Sequence, residues 1–418
     1  MKTINQYILE QCCNFRCGIS LPYQRIPNNF SDISNVYNYS IPEDSIQTWR
    51  TASGSINFNE NKAIMGAIGE SLERYSGAVC MFDIKSYKEL KNKNNLLNYN
   101  EFSLFSEEQF NKEDFLWKRP DKEKQFFGKV YSLYNNKEYY VPQELISLGS
   151  RTQEACIPST STGLAAHSNK YDAIYSAILE LLERDSLTTY WLHSLGGREI
   201  ILDEKYKKEV DKNKGQVFCF DVTQDWNPYP VIMVCGYLLE NNKKRISMGV
   251  ACRETYEKAI EKAYLEWIQG CVFAGYYDDF HNDITLDEYK DVTTFDLHAV
   301  YYTKHPEKWN KVPLIKNKFE YKYIEKNKNI GKKDTKYKLE FLLKRLNQAN
   351  IRLYYKDITT NDVRDVGVTV VRVLSPDLSL LHGDENEMFL GGTTSNIKWR
   401  YKDIEPGKFP NEYPHPLG

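Results

Sequence analysis

Long hydrophobic runs are missing from this chain. Its most apolar stretches, such as residues 173–182 with Glu180 inside, fall well short of the roughly 20 apolar residues a membrane-spanning helix needs. The start, Met1-Lys2-Thr3-Ile4-Asn5, lacks an apolar run followed by small residues, so no signal peptide is read there and a cytoplasmic setting is expected. A charge excess is missing too: 55 Lys and Arg stand against 57 Asp and Glu, a net charge of −2, which leaves no global footprint for a polyphosphate backbone and excludes nucleic acid as a general partner. Nine cysteines are scattered without a paired C-x-x-C pattern, so reduced thiols are expected. Cys12, Cys13 and Cys17 cluster, yet no histidine lies nearby at zinc-ligand spacing.

What is present is enough for a globular fold. A chain of 418 residues, 41% of them hydrophobic, supports two or three structural units at roughly 100–200 residues each. Residues 1–60, broken by Pro22, Pro27 and Pro42, read as short strands and loops. Alternating runs at 128–133 and 139–142 around Asn135-Asn136 predict a hairpin, and a second pair is predicted at 216–221 and 231–237. Residues 301–338, rich in lysine, asparagine and aromatics, read as a surface excursion. Leucines at 339, 342, 343 and 346 then predict a helix, followed by strands at 351–358 and 366–374.

The most informative feature is an internal repeat. Ala63-Ile64-Met65-Gly66-Ala67-Ile68-Gly69-Glu70-Ser71-Leu72-Glu73-Arg74 is matched by Ala173-Ile174-Tyr175-Ser176-Ala177-Ile178-Leu179-Glu180-Leu181-Leu182-Glu183-Arg184 and by Ala259-Ile260-Glu261-Lys262-Ala263-Tyr264-Leu265-Glu266-Trp267-Ile268-Gln269. The shared pattern is A-I-x-x-A-x-x-E-x-x-[EQ]. Offsets of three and four share a helix face, so each segment offers two small residues and then two polar ends along one stripe. The alanines permit close helix approach, and the register predicts that Glu70, Glu73, Glu180, Glu183 and Glu266 share one cleft.

Such clustering is costly, because two unit charges about 5 Å apart at an effective dielectric of about 20 repel by roughly 3 kcal/mol. The carboxylates must therefore take up protons or bind cations, and an oxygen-only donor set points to magnesium over zinc. A blander reading is available for any one helix, where Glu70 to Arg74 and Glu180 to Arg184 are ordinary i, i+4 pairs. Three copies in register favour a shared site. Glu183 is expected to supply charge without filling the core.

These E-x-x-E-R helices, with Ser159-Thr160-Ser161-Thr162-Gly163-Leu164-Ala165-Ala166 before the second, resemble the YcaO family of ATP-using enzymes. The likeness runs from about Ile56 onward, through the late segment Val366-Gly367-Val368-Thr369-Val370-Val371-Arg372, to Pro414-His415-Pro416. It implies a mixed α/β fold, with repeated helix-on-sheet units around a central ATP site. Residues 1–55 would form an N-terminal extension and 56–418 the ATP-binding catalytic domain, ending in a proline-bearing tail at 410–418. It further implies that Glu70, Glu73, Glu180, Glu183 and Glu266 hold magnesium, and that Asp172, Ser168, Arg184, Lys262, Arg74 and Gln269 face the nucleotide. His415 and the carboxylate of Gly418 would stand beside the substrate, against the ordinary expectation of a disordered chain end.

Some positions depart from the family pattern: Gly66 replaces a serine, Ser168 an asparagine, Lys262 an arginine, and Ser55-Ile56-Asn57 a Gly-Lys-Gly. Lysine keeps the charge but not the planar fork.

In overall pattern the chain resembles the cyclodehydratase subunits of microcin-type azole synthetases. That implies conversion of Cys, Ser or Thr in a ribosomally made precursor peptide to thiazoline or oxazoline, driven by ATP and Mg2+. Backbone thioamidation and a non-catalytic nucleotide-binding scaffold are the alternatives. The region before the first repeat does not read as a compact leader-recognition domain. A leader-binding partner resembling ubiquitin-activating (ThiF-like) enzymes is therefore expected, with an FMN-dependent dehydrogenase wherever the ring is oxidised, in a homo-oligomer or hetero-complex.

Overall fold

The computed structural model describes residues 12–14, 18–27, 30, 33, 36–47, 49–149, 155–324 and 329–418. Cys17 lies outside them. The chain divides into two compact units, one from Met1–Ile26, Tyr37–Leu181 and Lys333–Leu380, the other from Pro27–Val36, Leu182–Lys332 and Leu381–Gly418. Each mixes helices with sheets.

In the first unit, Gln24–Arg25, Tyr37–Ile41 and Ser53–Asn57 make a small antiparallel sheet. A larger sheet runs in the order Ile84–Ser86, Phe126–Ser132, Tyr354–Asp357, Thr369–Leu374 and Leu164–His167, and Glu138–Pro142 pairs with Phe126–Ser132 as the predicted hairpin. The late helix forms at Thr335–Gln348, so its two following strands close an αββ unit in this sheet. In the second unit, Lys243–Cys252, Val231–Glu240, Gln216–Asp221, Arg198–Glu199 and Phe319–Glu320 form a sheet that is antiparallel except for its last pair.

All three repeat segments are helices: Glu60–Val79, Lys170–Leu192 and Tyr256–Phe280. Their starts are chemically marked, because Asn59 accepts from the Lys62 N–H at 3.1 Å, Asn169 from the Asp172 N–H at 3.0 Å and Thr255 from the Lys258 N–H at 3.4 Å. The repeated alanines, Ala63, Ala67, Ala173, Ala177, Ala259 and Ala263, are all fully buried. Small residues let backbones meet: a Cβ on Gly249 would fall 2.1 Å from the Ala263 carbonyl oxygen, so this strand position must be glycine for the third helix to lie on its sheet. The departure at Gly66 has the same cause. A Cβ there would sit 2.2 Å from Ser55 Oγ, on the strand against which the first helix packs.

The excursion expected at 301–338 is corrected over its first half. Phe295–Lys304 is a helix that packs on the third repeat helix, and Tyr301, Tyr302, Trp309, Val312, Leu314 and Ile315 are buried. The lysines of this stretch misled the reading, since aromatic and aliphatic positions between them carry the core. Residues 317–323 are mostly exposed, and 325–328 lie outside the described residues. Among the described residues no helix is long and apolar enough to cross a membrane.

The second unit is fastened by a fully buried ion pair. Arg400 donates to both carboxylate oxygens of Asp185, with Nη2 to Oδ1 at 2.6 Å and Nε to Oδ2 at 2.9 Å, while Gln224 Nε2 adds a third donor at 3.0 Å. Removing one partner leaves a desolvated charge, so Arg400→Met is expected to cost about 3–5 kcal/mol in denaturant unfolding, and the double change Asp185→Leu/Arg400→Met markedly less than either single change.

Candidate functional site

In the first unit the structure brings Glu70, Glu73 and Glu180 into mutual electrostatic range with Arg74 and Arg372. Glu70 is already engaged: Arg74 Nη2 donates to Oε1 at 3.0 Å and the Gly54 N–H to Oε2 at 2.9 Å. Burial first, and then the charge of Glu180, push Glu73 well above the ordinary carboxylate range, with Glu70 adding and the two arginines opposing. Such a group holds a full negative charge only when a cation faces it.

Arg372 was not singled out by sequence, although one charged residue inside the apolar run Val370-Val371-Arg372-Val373 was a visible signal. It is fully buried, and its Nε and Nη2 donate to the carbonyls of Leu145 and Thr160 at 2.8 Å each. Burial pulls its guanidinium down to about 10, against the pull of Glu180 and Glu73.

In the second unit Glu183 is buried and accepts the Cys252 N–H at 3.1 Å. This corrects the expectation that Glu183 stands clear of the core, because it also satisfies the end of a strand. Lys262 Nζ pairs with Glu266 at 2.9 Å, one helical turn away. Arg184 and Gln269 are half-buried on their helices. The first-unit residues Ser168 and Asp172 sit at the start of the second repeat helix: Ser168 is exposed, and the Asp172 carboxylate accepts from the Asn169 amide, completing the helix cap.

The segment bearing His415 is ordered and held, not a loose end. Trp191 Nε1 donates to the Tyr413 carbonyl at 2.7 Å, Tyr302 Oη to the Pro414 carbonyl at 2.7 Å and His298 Nδ1 to the His415 carbonyl at 2.8 Å. Three consecutive carbonyls are thus fastened by three different side chains. Gly418 lies so near the Phe295–Lys304 helix that a Cβ would stand 2.5 Å from the Ala299 Cβ. His415 is buried with His298, His382 and Glu385, and one ligand-type atom from each of His298, Glu385 and His415 lies within 4.8 Å of the others. Sequence reasoning missed His298, His382 and Glu385, which lie 117, 33 and 30 positions from His415 with no shared motif.

With this geometry in view, the family comparison is decisive. Residues 57–379 match the family model described as YcaO cyclodehydratase, ATP- and Mg2+-binding. The chain belongs to the YcaO family. The YcaO fold is seen in similar solved structures: a heterocyclase in complex with substrate and cofactor matches at a TM-score of 0.70 and 17% identity, over 97% of this chain and 57% of that one. The YcaO protein of Methanopyrus kandleri bound with AMPPCP and Mg2+ matches at 0.62 and 15% identity, over 90% and 88%. The microcin B17-processing protein McbD of Escherichia coli is 24% identical over 169 residues, 36% of this chain and 43% of that protein. The match thus spans less than two thirds of McbD and of the heterocyclase. ATP and Mg2+ are the YcaO cofactors, and the oxygen-only carboxylate set with the raised Glu73 fits a hard divalent cation.

Two outcomes follow for this site. Glu183→Gln keeps an acceptor for the Cys252 N–H but removes the charge, so it should fold, with unchanged circular dichroism, and lose about 100-fold in ATP turnover. Wild-type phosphate release by this variant removes Glu183 from the site. The second concerns acid. Burial pushes His298 from 6.5 to about 4 and His415 well below 6.5, with Glu385 and Asp384 opposing at His298, and with His298, His382 and Arg184 reinforcing at His415. The unfolded chain therefore binds more protons than the folded one between pH 6.5 and about 4. Stability is full above that window and falls as pH drops through it, by about 3 kcal/mol for His298, and His298→Asn should flatten the pH dependence of the melting temperature.

Proposed function

We propose that this YcaO chain is an ATP-dependent cyclodehydratase subunit that converts Cys, Ser or Thr of a ribosomally made precursor peptide to thiazoline or oxazoline. The observation that carries the reading is the cluster of half-buried carboxylates Glu70, Glu73 and Glu180, in which the proton affinity of Glu73 is raised as suits a cation site, in a chain whose family binds ATP and Mg2+. A heterocyclase with bound substrate shares the fold, and so does the E. coli microcin synthetase McbBCD complex with pro-MccB17 bound, at a TM-score of 0.65.

In this reading Glu70, Glu73, Glu180, Glu183 and Glu266 are the magnesium carboxylates. Arg74, Arg184, Lys262, Gln269, Ser168 and Asp172 face the nucleotide, while the segment with His415 and Gly418 faces the peptide. The bound nucleotide supplies the phosphoryl group that turns the amide oxygen into a leaving group. The chain's own task is to hold charge and exclude water: the guanidinium of Arg184 and the ammonium of Lys262 offset charge that develops at the phosphate oxygens, and Glu183, fixed by the Cys252 N–H, keeps its orientation without reorganisation. A leader-binding partner presents the peptide.

The reaction is read by mass. With partner, precursor peptide, Mg2+ and ATP, each ring should remove one water, about 18 Da, and consume ATP, whereas the chain alone should process poorly. Thioamidation exchanges oxygen for sulfur and adds about 16 Da, so a mass gain rejects cyclodehydration. Unchanged mass without ATP consumption indicates a scaffold.

A further inference from the structure

Four buried side chains of the second unit, His298, His382, Glu385 and His415, form a cluster whose hydrogen bonding is only half complete. A carbonyl only accepts, so His298 Nδ1, 2.8 Å from the His415 carbonyl, carries the proton of its ring. For the same reason His415 Nε2, 3.2 Å from the His382 carbonyl, carries the proton of its own. In the neutral rings His298 Nε2 and His415 Nδ1 are then bare lone pairs, and neither has a partner among the described residues. Buried acceptors without a donor are costly. Protonating both rings offers no relief, because two imidazolium ions would lie face to face at 3.9 Å between centroids.

A metal ion relieves both lone pairs at once, and the cluster has the donors for one. One ligand-type atom from each of His298, Glu385 and His415 lies within 4.8 Å of the others. Ligands about 2.0–2.2 Å from a zinc ion stand roughly 3–4 Å apart, so closing on one ion takes a small inward movement. The stacked rings keep their lone pairs in neighbouring planes, and a turn of either ring about its Cβ–Cγ bond, a broad and soft torsion, brings them together. The surroundings match as well. A backbone carbonyl holds the other nitrogen of each ring, as is usual for metal-bound histidines, and His382 Nε2, 3.4 Å from Glu385 Oε1, is placed to orient the carboxylate. Two imidazoles with one carboxylate select a borderline cation such as zinc over magnesium, which prefers oxygen alone.

We propose that His298 Nε2, His415 Nδ1 and the Glu385 carboxylate hold one divalent ion of the zinc class, with His382 donating to Glu385. Its role is structural: it ties the 411–418 segment to the Phe295–Lys304 helix through residues 117 and 30 positions apart in the chain. This inference goes beyond the cyclodehydratase reading and does not rest on it.

The test loads the full chain with Zn2+ or Co2+ alone and reads bound metal, absorption spectrum and melting temperature. The wild type should retain about one equivalent of either ion through gel filtration, and Zn2+ should raise its melting temperature by several degrees. The Co2+ form should show visible bands of nitrogen and oxygen ligation without the near-ultraviolet band of a cysteine thiolate. Glu385→Gln and His415→Gln should lose the retained metal, and His382→Gln should weaken Co2+ binding about 10-fold or more. Where a variant unfolds, the wild-type cobalt spectrum and the Zn2+-dependent melting temperature decide alone. A wild type that retains no metal and whose melting temperature Zn2+ leaves unmoved overturns the inference. So does a thiolate band, which places the ion on cysteines, or a full equivalent retained by folded Glu385→Gln and His415→Gln.

Discussion

A carboxylate taken out of water must meet a counter-charge or keep its proton, and the placement of this chain's charged residues follows from that constraint. Asp185 meets it completely, through Arg400 and Gln224, and so acts as a structural rivet. Two positions earlier in the chain, Glu183 accepts the backbone N–H of Cys252. Glu73 meets it differently. With burial first, Glu180 and Glu70 raising its proton affinity and Arg74 and Arg372 opposing them, it stays above the ordinary carboxylate range, which is the condition in which a divalent cation is most welcome. One kind of side chain therefore stabilises the fold in one place and stays chemically available in another, and the difference lies in how many donors surround it.

The repeat was legible because its two components are local. Alanine at fixed offsets marks close approach and glutamate at fixed offsets marks a polar stripe; the buried alanines at 63, 67, 173, 177, 259 and 263 bear out the first, and Glu70, Glu73 and Glu180 in mutual range agree with the second in the first unit. Hairpins were legible for the same reason, since their partners are neighbours in the chain. What escaped was set by partners far apart. Arg372 takes its meaning from Leu145 and Thr160, more than 200 positions away, and His415 from residues 117, 33 and 30 positions off. Composition misled at 301–316, where lysines on the outside concealed Tyr302 and Trp309 in the core.

Family membership and mechanism stand on different ground. Similar structures at 15–18% identity share this architecture, and in this chain close-packed alanines and Gly249 hold helix against sheet. The chemistry depends on side chains that packing does not dictate. Lys262 illustrates this, because its ammonium pairs with Glu266 as a compact charge where an arginine would present a planar fork.

The 411–418 segment shows how a proline-rich stretch can be read at all. Pro414 and Pro416 have no N–H to offer, so recognition falls to the carbonyls of Tyr413, Pro414 and His415, which Trp191, Tyr302 and His298 receive in turn. Carbonyl reading is indifferent to side-chain identity but intolerant of slippage: a one-residue insertion or deletion upstream of Tyr413 would shift all three acceptors together, whereas substitutions at neighbouring side chains would leave the ladder in place. The rigid prolines also narrow the conformations open to the segment in the unfolded chain, so ordering it costs little entropy. The register of this segment should therefore vary less among functional variants than its composition.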